Sequence, residues 1–350
     1  MPTRGEKSAP PRSHASDRKA DHIRLSRQSS MQLRRNFFDE LTFEHQALPE
    51  IDLATVDTST RFLGRELRAP LLISSMTGGT KEATRINRNL ARAAQAAGVA
   101  LALGSQRKAI ESPKLAASFQ DRELAPDIPL LANLGAVQLN YGFGLDECER
   151  AVEMIGADAL VFHLNPLQEA IQPEGQTNFA GLAAKIGDIA LRLSVPVVVK
   201  EIGCGLSLAS ARRLLDHGVK ILDSAGLGGT SWSRIEGARA DDPDLGELFA
   251  GWGIPTPVAT ARLATLKGIT LIASGGIRSG LDVAKSIALG AALAGLAQPF
   301  LVAAGHSWQR ARELAEKIRR ELSIAMFCSG ASDLETLGRR TLAHRDQTAL

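Results

Sequence analysis

From residue 70 onward the chain alternates short apolar runs with longer stretches of helical pattern, and that alternation leaves few folds open. The runs lie at 71–74, 99–103, 129–133, 159–164, 195–200, 219–223, 269–274 and 291–296. Helical periodicity falls between them at 81–97, 145–155, 179–193, 207–217, 257–267 and 279–289. A further helical stretch, 308–322, follows the eighth run, and the weakest signal is at 113–119. Continuous rather than alternating apolar runs predict strands covered on both faces, hence a parallel sheet. Eight strand–helix units in about 250 residues match a (β/α)8 TIM barrel. A doubly wound open sheet is the rival. Its Gly-x-Gly-x-x-Gly fingerprint is absent after the first run, where Ser74-Ser75-Met76-Thr77-Gly78-Gly79 stands. With 350 residues, 44% of them hydrophobic, the chain has enough material for such a core. The expected organisation is a tail at 1–17, a segment at 18–69 packing on the barrel and reaching its site, the barrel at 70–325, and a C-terminal extension at 326–350.

In a barrel, the carboxyl ends of all eight strands open on one face. Here they carry Ser-Ser-Met-Thr-Gly-Gly (74–79), Gly-Ser-Gln-Arg (104–107), Asn-Leu-Gly-Ala (133–136) and His-Leu-Asn-Pro-Leu-Gln-Glu (163–169). Lys-Glu-Ile-Gly (200–203), Asp-Ser-Ala-Gly-Leu-Gly-Gly-Thr (223–230), Ser-Gly-Gly-Ile-Arg-Ser-Gly (274–280) and Ala-Gln-Pro-Phe (297–300) complete the ring. The fourth end is the densest, since an apolar run gives way at once to His163, Asn165, Gln168 and Glu169. One polar turn is a helix cap; eight around one mouth are a binding site. Residues 228–254 form the one long connection, of the kind that serves as a lid or a subunit contact.

Charge is uneven. Residues 1–35 hold nine Lys or Arg against three acids, a net +6, while the whole chain nets +3. Nucleic-acid binding would show aromatics among the basic residues, and few are there. The expectation is a disordered basic tail, then a short basic segment from Arg18 that folds over an anionic ligand. No apolar run approaches the ~20 residues of a membrane helix, and the N-terminus has no signal-peptide stretch. A soluble, cytoplasmic protein without nucleic-acid or membrane partners is expected. Cys148, Cys204 and Cys328 have no paired spacing for a disulfide or zinc. Histidines 14, 45, 217, 306 and 344 fall in tail, loop or helix contexts and read as structural.

The strand ends also suggest chemistry. Gly275-Gly276 before a helix that starts at Ser279, with Arg278 and the eighth end at Ala297-Gln298, fits a phosphate cradle. Gly228-Gly229-Thr230 offers a second. Lys200, at the end of an apolar strand, suits either a Schiff base or a charge against a cofactor ring. Arg18, Lys19, Arg107 and Lys108 supply positive charge for a phosphorylated substrate. Glu169 suffices to hold magnesium if the substrate is a diphosphate.

In order, these pieces resemble the type 2 isopentenyl-diphosphate delta-isomerases, flavin-dependent barrels related to the FMN-dependent oxidases and dehydrogenases. The carrying motifs are Arg18-Lys19-x-x-His22, Ser75-Met76-Thr77-Gly78-Gly79, Gly104-Ser105-Gln106-Arg107, Asn133-Leu134-Gly135 and His163-Leu164-Asn165-x-x-Gln168-Glu169. Lys200-Glu201, Gly226-x-Gly228-Gly229-Thr230, Gly275-Gly276-Ile277-Arg278 and Ala297-Gln298-Pro299 continue the match. The resemblance implies that Ser75, Met76, Thr77, Ser105, Asn133, Lys200 and Thr230 contact FMN. It implies that Gly276, Ile277, Arg278, Ala297 and Gln298 hold the FMN phosphate. Arg18, Lys19, Ser105, Gln106, Arg107 and Gln168 would bind the substrate, and Glu169 would hold Mg2+. His163 and Gln168 are the candidate catalytic side chains, His163 either moving protons or orienting the site. The implied reaction is a 1,3-allylic proton shift between isopentenyl and dimethylallyl diphosphate on reduced FMN, with NADPH as its reductant. One departure is Ala225, where family members often carry a serine near the flavin. A homo-oligomer, tetramer or octamer, is implied, with residues 18–22 reaching a neighbouring subunit's site. An FMN-dependent 2-hydroxy-acid oxidase or dehydrogenase on the same barrel is the alternative, and an aldolase using Lys200 a further one.

Overall fold

A computed structural model describes residues 15–119 and 121–344. The expected tail lies outside the described residues up to residue 14, and a helix, Ala15–Ser26, takes in its last three positions. Eight parallel strands close into a barrel in chain order. They are β1 (Leu71–Ile73), β2 (Ala100–Ala102), β3 (Leu130–Gly135), β4 (Ala159–Leu164), β5 (Val197–Glu201), β6 (Ile221–Asp223), β7 (Thr270–Ser274) and β8 (Leu293–Leu296). Each falls on one of the eight apolar runs, most of them trimmed at the ends, while β3 runs on to Gly135 and β5 to Glu201. β5 starts past Pro196, which gives its carbonyl to the Leu160 N–H but has no N–H for the ladder.

The two-residue period of the strands builds the barrel interior in layers. Leu72, Ala100, Ala102, Leu131, Ala159, Val161, Val198, Ile272 and Leu293 form a buried inner cluster with Phe62 and Leu67. Those last two come from an antiparallel hairpin, Thr60–Phe62 with Arg65–Leu67, which plugs the amino end of the barrel. Two residues further along, the same inward face carries Ser74, Asn133, His163, Lys200, Asp223, Ser274 and Gly295. The inner face thus changes from apolar to polar one step from the mouth, and this step makes the floor of the site.

Outer helices pack by their own period. In Lys81–Ala97, Ala83, Ile86, Leu90, Ala94 and Ala97 are buried on one face. Thr80 caps its start by accepting from the Ala83 N–H, and Gly98, at φ +66°, ends it. The helix Trp308–Cys328 runs straight through the boundary expected at 325. Beyond it, Leu342–His344 pairs antiparallel with Leu41–Phe43, so the two flanking segments are stitched together.

The connection 228–254 is not an open loop. It holds two helices, Trp232–Arg239 and Pro243–Leu248. They meet through glycines: a Cβ on Gly237 would lie 2.7 Å from Gly246 Cα. The first helix buries Ser233, Glu236 and Gly237 beside Ile235, so it shows no apolar stripe that periodicity could detect. No described helix is long and apolar enough to cross a membrane.

Candidate active site

A cavity of about 230 Å³ opens at the carboxyl ends of the strands, under the Ala15–Ser26 helix. Every residue to which the resemblance gives a catalytic, cofactor, substrate or metal role lines it except Gln106. Gln106 is 0% exposed. Its Oε1 accepts from Asn133 N at 3.0 Å, and its Nε2 donates to Ala151 O at 2.8 Å. Its amide is spent on fastening β3 to the helix Leu145–Ile155, and its side chain faces away from the cavity it was expected to line.

The floor is a hydrogen-bonded set. Asn133 Nδ2 donates to Ser75 Oγ at 2.9 Å, which leaves Asn133 Oδ1 to accept from His163 Nδ1 at 2.9 Å. The ring's other nitrogen then carries a lone pair. Burial, with Lys200 and Lys19 nearby, pushes the His163 pKa down to about 3. His163 is therefore neutral at physiological pH and offers an acceptor, which suits orientation rather than proton donation. Lys200 Nζ donates to the Glu201 carbonyl at 2.6 Å. Beside it in register lies Asp223, buried, accepting from Ser274 Oγ at 2.6 Å and Ala225 N at 3.1 Å. Burial raises the Asp223 carboxyl while Lys200 opposes that rise. The Ala225 N–H bond holds that non-glycine residue at φ +35°, in the left-handed region.

The loops after β6 and β7 meet where only glycines fit. A Cβ on Gly276, at φ +77°, would lie 2.5 Å from the Gly228 backbone. One on Gly229 would lie 2.9 Å from Gly276 N. The helices Gly280–Ala288 and Gln298–His306 start beside this junction, so backbone N–H groups and helix N-termini converge there with Arg278. Gln32, from the N-terminal segment, crosses it: its Oε1 accepts from Thr230 Oγ1 and Arg278 Nη2, both at 3.1 Å.

At the opposite side, Glu169 is 8% exposed. Its carboxylate accepts from Asn165 Nδ2 at 2.8 Å, Gln172 Nε2 at 2.7 Å and Gln176 N at 2.6 Å. These donors are neutral, so they orient the charge without cancelling it. Next to it stands Glu236, which no strand-end motif contains. It is 0% exposed and accepts from His22 Nε2 at 2.9 Å, Gln168 Nε2 at 2.7 Å and Arg239 Nη1. Arg239 also reaches Glu174 at 2.9 Å, and Arg18 lies 3.8 Å from the same Glu174 oxygen. His22 packs edge-on against Trp232, with ring centroids 5.1 Å apart. The N-terminal helix is thus clipped to the mouth by a chain of charges centred on Glu236.

Lys19 Nζ donates to Ser105 O at 3.0 Å and lies 5.8 Å from the Phe119 ring centroid. Burial and the neighbouring Lys108, Arg18 and Arg107 charges bring its pKa down to about 7, against an opposing pull from Glu111. Below that pH the ammonium is already formed; above it, a bound dianion must first protonate Lys19. The affinity for Mg2+-pyrophosphate is accordingly expected to fall by up to about tenfold per pH unit above 7. Calorimetry in two buffers of different ionisation enthalpy should show nearly one proton taken up at alkaline pH, and none in Lys19→Arg. Proton uptake unchanged in that variant would refute the assignment.

Residues 15–120 and 168–344 match the FMN-dependent dehydrogenase family. An isopentenyl-diphosphate delta-isomerase of Nostoc sp. is 51% identical over 326 residues, covering 91% of this chain and 93% of its own length. The chain belongs to the FMN-dependent family of isopentenyl-diphosphate delta-isomerases. An isopentenyl-diphosphate delta-isomerase of Methanothrix thermoacetophila is 46% identical over 329 residues, covering 92% of this chain and 91% of its own length. Among solved structures, a mandelate oxidase with an FMN adduct superposes with a TM-score of 0.61 at 20% identity, covering 93% of this chain and 92% of its own. That last likeness shows the shared barrel only.

The geometry fits the family's cofactor. The glycine junction has the donors and the close backbone approach that a flavin phosphate requires, and the Ser75–Asn133–Lys200 floor presents polar groups to a ring. Among the described residues, no three His, Cys, Asp or Glu gather as a metal cage. A cation here would need phosphate oxygens as well as Glu169, the arrangement magnesium favours.

Proposed function

We propose that this enzyme interconverts isopentenyl diphosphate and dimethylallyl diphosphate by a 1,3-allylic proton shift. Reduced FMN, when bound, supplies the acid–base chemistry, with NADPH as the external reductant. Glu169 holds Mg2+ against the diphosphate, and Arg18, Lys19 and Arg107 grip its oxygens. The observation that carries this reading is the single cavity wall that sets a glycine cradle, a polar floor and a buried, uncancelled carboxylate around one space. Protonating an unactivated alkene needs a strong acid held against it. His163, pushed down to about 3, lacks the proton for that task, and its place is to orient Asn133 and the floor. Gln168, fixed by Glu236 at 2.7 Å and by Asn165 at 3.0 Å, flanks the hydrocarbon. The N-terminal helix closes the mouth and excludes water.

A cysteine nucleophile, as in nucleotide dehydrogenases, finds no support: burial raises the Cys204 thiol to about 12. A cytoplasmic homo-oligomer is part of the same proposal. The purified protein is expected to be yellow, or to become so with added FMN. Arg278→Ala should weaken FMN binding about ten- to a hundredfold, read by quenching of flavin fluorescence. A protein that takes up no flavin under any condition would sink the reading.

A further inference from the structure

Gln176 joins two ends of the cavity that the sequence motifs treat separately. It follows the helix Pro166–Ile171 and does not itself line the cavity. Gly175, just before it, is pressed onto that helix: a Cβ there would fall 1.7 Å from the Glu169 carbonyl oxygen. Glycine permits this approach, which delivers the Gln176 N–H to Glu169 Oε2 at 2.6 Å. The side chain runs the other way. Its Oε1 accepts from Arg107 Nη1 at 2.8 Å and from Gln138 Nε2 at 2.7 Å. Gln138 is 4% exposed and lines the cavity. Arg107 Nε is taken by Glu111 at 2.7 Å, so Gln176 supplies the second fixed point of the guanidinium.

We propose that Gln176 is a positioning residue that sets the separation between Arg107 and Glu169, and with it the length of phosphate chain the site accepts. The inference rests on the magnesium-diphosphate reading above. A phosphoryl group bound through a cation at Glu169 and a second one at Arg107 form two anchored ends. An anion with a single phosphoryl group reaches only one of them. A neutral amide also orients the arginine without cancelling its charge, which a carboxylate in the same place would do.

The test is calorimetric titration of the flavin-loaded protein with inorganic pyrophosphate and with orthophosphate, each with Mg2+. Wild type should prefer pyrophosphate. Gln176→Ala keeps the backbone N–H to Glu169 and removes only the acceptor for Arg107 and Gln138. It should lose about tenfold in pyrophosphate affinity with little change for orthophosphate, so the preference narrows. Gln176→Glu keeps the shape and the acceptor but places a negative charge on Arg107, and should also lose about tenfold for pyrophosphate. Melting temperatures close to wild type for Gln176→Glu would show that its loss is not a folding defect. An unchanged preference in Gln176→Ala, or equal losses for both anions, overturns the proposal. Binding of neither anion by wild type would overturn the magnesium-diphosphate reading, and this inference with it.

Discussion

Replacing Glu169 by glutamine lowers turnover on the order of 10²–10³-fold and raises the magnesium needed for half-maximal activity. The substitution is nearly isosteric, so it isolates charge. In the wild type both oxygens accept, one from Asn165 Nδ2, the other from Gln172 Nε2 and Gln176 N. A glutamine must turn its NH2 toward one of those donors, which costs about 1–3 kcal/mol locally as well as the charge that would hold the cation. Steady-state kinetics across a magnesium titration measure both effects. Full turnover with an unchanged magnesium response would remove Glu169 from the metal site.

Glu236→Ala is expected to destabilise the protein by about 3–5 kcal/mol, read from denaturant unfolding. The carboxylate is 0% exposed and joins the N-terminal helix, the helix Pro166–Ile171 after β4 and the helix Trp232–Arg239. Its loss strands Arg239, whose side chain is 12% exposed, with Glu174 as its remaining carboxylate partner. Burial alone would raise the Glu236 pKa, but the bonds from His22, Gln168 and Arg239 hold it below the ordinary value. A lowered folded pKa gives stability that is complete above the unfolded carboxylate value of about 4.3 and is lost as pH falls through the folded one. The stability gap between wild type and Glu236→Gln should therefore close as pH is lowered below about 4. A cost under about 1 kcal/mol for Glu236→Ala would show that the clip is incidental.

The barrel was legible because eight buried strands leave eight apolar runs, and the mouth because each run ends abruptly in polar residues. His163, Lys200 and Asn133 follow directly, being the next inward positions after Val161, Val198 and Leu131. Glu236 was hidden for the opposite reason. It sits on a short helix that buries Ser233, Glu236 and Gly237, so neither apolar periodicity nor a strand end marks it. Gln106, expected at the substrate, lies off the cavity because a polar residue beside Arg107 can as easily turn inward, and here it ties Asn133 N to Ala151 O. Gln176 and Asp223 act through contacts with residues far along the chain or on a neighbouring strand, which spacing within one motif does not encode.

Isopentenyl diphosphate, Mg2+ and the FMN-loaded protein reduced under anaerobic conditions are the most direct trial of the whole account, with dimethylallyl diphosphate followed over time. Many turnovers per flavin, with no further reductant consumed and the same end-point reached from either diphosphate, are expected. Absence of product with fully reduced, flavin-loaded protein, or product formed only in step with reductant consumption, would contradict it.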